Sequence, residues 1–127
     1  RQRRPSKVTE EIIADVTGVA PGQAGLSEAD ILARCVHPMV NEALIILEEN
    51  KAQRPSDIDV IWSYGYGWPG DTGGPMAYGD RVGAKKILAT MQALKAENEA
   101  ITIAPSLEKL ASDGGRFVDL DLGGLKV

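Results

Sequence analysis

Cysteine occurs once in these 127 residues, at Cys35, and histidine once, at His37. A single cysteine excludes an internal disulfide, a zinc site built from Cys and His has too few ligands, and a reducing compartment is expected. No apolar run approaches the roughly 20 residues that a bilayer-spanning helix needs, and no charged-then-apolar leader opens the chain. A soluble protein with no membrane span is therefore expected. Acidic residues outnumber basic ones by 18 to 14, a formal charge of −4 that gives no electrostatic reason to bind nucleic acid or an anionic membrane. The basic opening, Arg1, Arg3, Arg4 and Lys7, reads as a solvated linker. Because the chain opens on Arg1 and a polar run in place of a methionine, it reads as a fragment of a longer polypeptide.

With 43% hydrophobic residues, the chain is long enough to bury one core. The periodicity divides it into a linker with a short helix over 1–26, a helical domain over 27–115 and a tail over 116–127. Thr9-Glu10-Glu11 could cap the short helix, with Ile12, Ile13 and Val16 as its apolar face and Gly18 as its stop. Residues 18–26 read as a loop. Ser27 followed by Asp30 is a capping-box variant that should start a long helix. Ile31, Leu32, Cys35, Val36, Met39, Val40, Ala43, Leu44 and Leu47 recur on that helix as a broad buried stripe out to about Asn50, and Pro38 should bend it near residue 35. Further helices are predicted over Ile58 to Trp62, from Pro75, over Val82 to about Glu97, and from Pro105-Ser106 to a stop at Gly114-Gly115. The tail alternates weakly and could pack as an extended strap. The expected class is all-α.

Five of the six aromatic residues and six of the fourteen glycines fall between Trp62 and Asp80. Within that stretch, Gly65-Tyr66-Gly67-Trp68-Pro69-Gly70 matches the letters of a dinucleotide-binding fingerprint. That motif works only where it joins a strand to a helix whose amides face a pyrophosphate. Here a bulky Trp68 and an amide-less Pro69 lie between the glycines, and no strand with a terminal acid follows, so the segment is read as a turn with packed rings. Cys35 and His37, two apart on a helix, project about 200° from one another and cannot form a nucleophile and base pair within it. Cys35 is expected in the core, and His37 as a surface or satisfied residue beside Pro38. Asn41 and Glu42 could cap a neighbouring loop or face a ligand; the first is the expectation, because buried polar groups usually satisfy nearby backbone. Asp57, Asp59, Asp71 and Asp80 lack calcium-loop spacing and suit capping and turn roles. The residues supply no complete catalytic set and point to a packing or assembly module.

His37-Pro38-Met39-Val40-Asn41-Glu42-Ala43, Gln53-Arg54-Pro55-Ser56-Asp57-Ile58-Asp59, Tyr64-Gly65-Tyr66-Gly67-Trp68-Pro69 and Gly73-Gly74-Pro75-Met76 come in an order that resembles the C-terminal helical domain of 3-hydroxyacyl-CoA dehydrogenases. The likeness covers roughly residues 27 to 112 and is greatest to the last such domain of the multifunctional β-oxidation enzymes. It implies the helical fold shared with the 6-phosphogluconate dehydrogenase C-terminal-like type. It also implies a parent enzyme that uses NAD and an acyl-CoA substrate, with a Rossmann domain and a first helical copy as partners of this domain. The family's catalytic histidine and glutamate lie in the NAD-binding part, so neither role transfers to a residue here. The first helical copy usually carries an Asn-Arg pair five residues ahead of the helix proline, and here that pair reads Ala33-Arg34. Alanine has no side-chain hydrogen bond to give, which implies a non-catalytic second copy. No catalytic, cofactor-binding or metal residue is therefore assigned, and the fragment itself is expected to bind no cofactor.

Asn41, Glu42, Tyr64, Tyr66, Trp68 and Met76 are the candidates for domain packing or for a ligand groove. The competing readings are a stand-alone helical module that holds an acyl or CoA ligand against Tyr64, Tyr66 and Trp68, and a homodimer of the fragment through a bare apolar face. The ending Gly123-Gly124-Leu125-Lys126-Val127 differs from a Ser-Lys-Leu peroxisomal address, so a bacterial cytoplasm is expected, with the peroxisome as the alternative.

Overall fold

The structure, a computed structural model, describes residues 6–20, 23 and 25–121. Among them are six α-helices: α1 (Lys7–Thr17), α2 (Glu28–Glu48), α3 (Pro55–Gly65), α4 (Gly74–Val82), α5 (Ala84–Glu97) and α6 (Pro105–Asp113). Single 3-10 turns lie at Gly70–Thr72 and Phe117–Asp119, and no strand occurs among the described residues. The class is all-α, as the periodicity required.

The chain divides into two compact units, residues 1–31 and 32–127. In the first, α1 begins at Lys7, two residues before the expected Thr9, and ends where Gly18 takes a left-handed conformation at φ 69°. Ile12, Ile13 and Val16 are all exposed, so α1 has an apolar face but buries no residue. The capping box that starts α2 is formed: Asp30 N–H donates to Ser27 Oγ and Ser27 N–H donates to Asp30 Oδ2, each at 3.1 Å. Part of the expected 18–26 loop, residues 21, 22 and 24, lies outside the described residues, and so does the tail beyond residue 121.

The second unit holds the core. Val40, Ala43, Leu44 and Leu47 from α2 join Ile58 from α3, Met76 from α4, Ile87 and Met91 from α5, Leu107 and Leu110 from α6, and Phe117. Full burial of each large apolar side chain stabilises by about 1.5–3 kcal/mol, so this cluster dominates the fold's favourable terms. The helix expected over Ile58 to Trp62 is present and longer, running over Pro55–Gly65. The helix expected over Val82 to Glu97 is two helices: Val82 ends α4, Gly83 turns the chain at φ 89°, and Ala84 starts α5. The stop at Gly114 is where expected, with φ 72°. Pro38 sits inside α2 without ending it.

The long stripe on α2 is buried only along its second half. Ile31, Leu32 and Cys35 are exposed, contrary to expectation. The reason is angular: residues seven apart drift only about 20° on an ideal helix, so Cys35 shares a face with Glu42 and Glu49. Both glutamates are exposed, and Cys35 is exposed with them.

Candidate functional site

α2 meets its neighbours through a seam of polar side chains at residues 34, 37, 41 and 48. The Arg34 guanidinium donates to both carboxylate oxygens of Glu97 at the end of α5, at 2.9 and 2.5 Å. Next along the helix, His37 Nδ1 lies 2.8 Å from Thr90 Oγ1 of α5, and the side chain is 1% exposed. Burial, and then the Lys86 ammonium, lower the His37 pKa from its usual value. Asn41 bridges the loop before α6, donating from Nδ2 to Thr102 O and accepting at Oδ1 from Ala104 N–H, both at 2.9 Å. Glu48 Oε1 accepts the Ser106 N–H at 2.8 Å and so caps the first turn of α6. These steps of three, four and seven are the spacing of one helix face, and the sequence carried that signal.

Two more carboxylates act across the fold. Asp59 of α3 accepts the Met76 and Ala77 amides at 2.7 and 3.2 Å, which caps α4 from outside. Burial raises its pKa against the pull of those two amides, and Asp80 adds to the rise. Asp80 Oδ1 accepts the Phe117 N–H at 2.6 Å, and its Oδ2 lies 3.2 Å from Arg116 Nη2. Asp57 acts locally, accepting the Arg54 N–H at 3.0 Å where α3 begins. The sequence suggested capping for Asp57, Asp59 and Asp80 but not which helix end each serves. An aspartate that caps a remote helix leaves no local spacing to read.

The candidates from the sequence fall into separate places. Asn41 is buried and satisfied by the 102–104 loop, the favoured reading. Glu42, one residue on, is exposed. A depression of about 490 Å3 has Asn41 and Glu42 in its wall with Pro38, Ile45 and Thr102, and takes none of its lining from Tyr64, Tyr66, Trp68 or Met76. Tyr64 is 89% and Tyr66 73% exposed, whereas Met76 is fully buried in the core, on Asp59. Trp68 is half-buried, and its indole N–H is shut in without a hydrogen-bond partner. Rings connect these zones: Tyr66 to Trp62 at 5.0 Å, Trp62 to Trp68 at 6.0 Å, Trp68 to Tyr78 at 6.1 Å and Tyr78 to His37 at 6.2 Å. Two of these pairs, Trp62 with Trp68 and Trp68 with Tyr78, are edge-to-face, an arrangement that adds about 0.5–1.5 kcal/mol per pair and holds the glycine-rich turn on the helices.

The Gly65–Gly70 segment does not fit a dinucleotide. It leaves the end of a helix, not a strand, and leads into one 3-10 turn at Gly70–Thr72, so no helix N-terminus faces a pyrophosphate there. Among the described residues, no three His, Cys, Asp or Glu side chains gather as a metal site. What this surface offers is apolar: Val60, Ile61 and Tyr64, at three-to-four spacing on α3, are each more than half exposed.

Residues 31–117 match the family described as 3-hydroxyacyl-CoA dehydrogenase, C-terminal domain. The chain belongs to that family. The peroxisomal bifunctional enzyme of Homo sapiens is 44% identical over 92 residues, which is 70% of this chain and 13% of that protein. The fatty acid oxidation complex subunit alpha of Vibrio vulnificus is 37% identical over 99 residues, 76% of this chain and 14% of the relative. That of Shewanella loihica is 32% identical over 114 residues, 89% of this chain and 16% of the relative. The chain thus spans about a seventh of the length of these curated relatives, in agreement with the likeness to a single domain of a multifunctional enzyme. The family is one of oxidoreductases, and this chain is its helical C-terminal part.

Proposed function

We propose that this domain is the packing and assembly element of an NAD-dependent 3-hydroxyacyl-CoA dehydrogenase of fatty-acid β-oxidation, and that it is inactive alone. In the parent, hydride passes from the 3-hydroxyl of an acyl-CoA to NAD, with a general base in the NAD-binding domain. The helical domain pairs with the first helical copy and steadies the wall of the acyl-CoA site.

The observation that carries this reading is the exposed row Val60, Ile61 and Tyr64 on α3. Leu32 and Cys35 on α2 are likewise exposed. An apolar row left open on a domain this small supports its use as a docking surface, and tyrosine is enriched at such surfaces. The small share of the relatives' length that the match covers supports the rest of a parent polypeptide as the partner. Ala33, at the position the first copy gives to an asparagine, supports a role away from the chemistry.

The test is to delete this domain from the full-length enzyme and measure thermal stability and the rate of NAD reduction with a 3-hydroxyacyl-CoA. Loss of both is expected; unchanged values would refute the role. A homodimer of the isolated chain, seen by sedimentation equilibrium, would mean that the same face pairs with itself when the first copy is missing. No described helix is long and apolar enough to cross a membrane. The bacterial cytoplasm is the proposed compartment, with the peroxisome the alternative.

A further inference from the structure

The histidine in the α2 seam is the only one in the chain, and its hydrogen bond has a readable direction. Thr90 Oγ1 lies 2.8 Å from His37 Nδ1 and 3.2 Å from the carbonyl of Lys86, one turn back on α5. The tautomer that satisfies both contacts has the hydroxyl donating to that carbonyl and accepting from His37 Nδ1–H, which leaves Nε2 as the place for a second proton. The groups that face the ring are the Lys86 ammonium from α5 and the Tyr78 ring from α4, with the Arg81 guanidinium 6.0 Å from the centre of the Tyr78 ring. On α2 itself, one turn earlier, Arg34 is held by Glu97. Among the described residues, no carboxylate forms a hydrogen bond or ion pair with the ring.

We propose that His37 is an acid-sensitive latch: neutral, its buried ring packs α2 on α5 beside Thr90, and doubly protonated, it sets an unsolvated positive charge between the two helices, on the side of the Lys86 ammonium, and destabilises that packing. Two features make it a latch and not a passive titration. In this tautomer the added proton arrives at Nε2, on a ring that is 1% exposed, where a charge is poorly solvated. Its place one residue before Pro38 matters as well. The proline has no amide to give the carbonyl of Arg34, so α2 has one intrahelical hydrogen bond fewer on the turn that would have to shift. The lowered pKa of His37 agrees with this geometry. Sign follows: the unfolded ring binds a proton at its ordinary value of about 6.5, the folded ring only at lower pH, so stability is lost as pH falls through that window. This inference concerns the inside of the domain and does not depend on the packing role.

The test uses the 127-residue chain. Its ring protons give a single histidine titration by NMR, and amide exchange reports α2 and α5 separately. A ring midpoint below the ordinary histidine value is expected, along with at least a tenfold loss of protection for amides around 37–44 and 87–91 between pH 7 and pH 5, after correction for intrinsic exchange. His37→Gln should flatten that pH dependence, and Lys86→Met, an exposed change that leaves the fold intact, should raise the ring midpoint. A ring that titrates at the ordinary value, protection that does not change with pH, or an unmoved midpoint in Lys86→Met would each overturn the proposal. Should His37→Gln not fold, the Lys86→Met midpoint still decides it.

Discussion

A methyl group on Gly74 would lie 2.6 Å from the Cα of Asp59, and Gly74 already holds φ at +78°. The cap on α4 is why the two backbones are so close: Asp59 reaches the Met76 and Ala77 amides only because no side chain stands between. Gly74→Ala is therefore expected to destabilise by more than the about 1–2 kcal/mol of a left-handed alanine, since the contact is with backbone. Urea unfolding checks this, and a wild-type midpoint would contradict the geometry. Asp59→Asn tests the other half of the pair. Its NH2 must face one of two amide donors, and a loss of about 1–3 kcal/mol follows.

Asn41 joins α2 to both backbone groups of the 102–104 loop. Asn41→Ala leaves Thr102 O and Ala104 N–H without it, and about 2 kcal/mol or more should be lost. Asn41→Asp is more diagnostic. The carboxylate keeps an acceptor for Ala104 but turns an oxygen toward the Thr102 carbonyl. Its deficit should shrink as pH falls and the carboxyl regains a proton to donate. A deficit that stays constant with pH would mean that the loop rearranges around the new side chain.

The Arg34 hydrogen bonds hold the Glu97 carboxyl below its usual range. A depressed folded value means that the pair's contribution is present above the unfolded carboxyl's pKa and fades as pH falls through the folded one. Carboxyl carbon shifts of Glu97 should move at a lower pH than those of an unpaired glutamate, and Arg34→Met should return them to the ordinary range. Because the pair is at the surface, added salt should weaken it.

Ile61→Ser combined with Tyr64→Ser tests the docking row. Unfolding of the isolated chain should change by no more than about 0.5 kcal/mol, because both side chains are mostly in solvent. In the parent enzyme the same pair of changes should lower thermal stability. Wild-type stability there would place the partner on another face.

Much of this fold was legible. Pro55, Pro75 and Pro105 each mark a helix start, and Gly18 and Gly114 mark ends, because the backbone geometry they permit is local. Gly83, which divides α4 from α5, was passed over because Ile87, Leu88, Met91 and Leu94 form one clear face and a single glycine within a helical pattern is tolerated. The stripe on α2 was read too long: periodicity identifies an apolar face but not how far neighbours extend along it, and Cys35 shows the difference. At the candidate site, Asn41 followed from the rule that a buried amide finds backbone. Tyr64, Tyr66, Trp68 and Met76 were close in sequence, yet Met76, in the first turn of α4, lies in the core while Tyr64 and Tyr66, at the end of α3, are exposed, and closeness in sequence does not say which side of a helix meets its neighbours. His37 with Thr90 and Glu48 with Ser106 join residues more than fifty positions apart, and no pattern within one helix can supply the second member of such a pair.

The ends of α4 and α6 and the 3-10 turn at Phe117 are each closed by a carboxylate borrowed from an earlier helix: Asp59, Glu48 and Asp80. Each of these ends takes its closing acceptor from another segment, so none can fray without also freeing a half-buried acid elsewhere. Local breathing and global opening are thereby merged in the second half of the chain, and a protease meets a segment that yields as a whole or not at all.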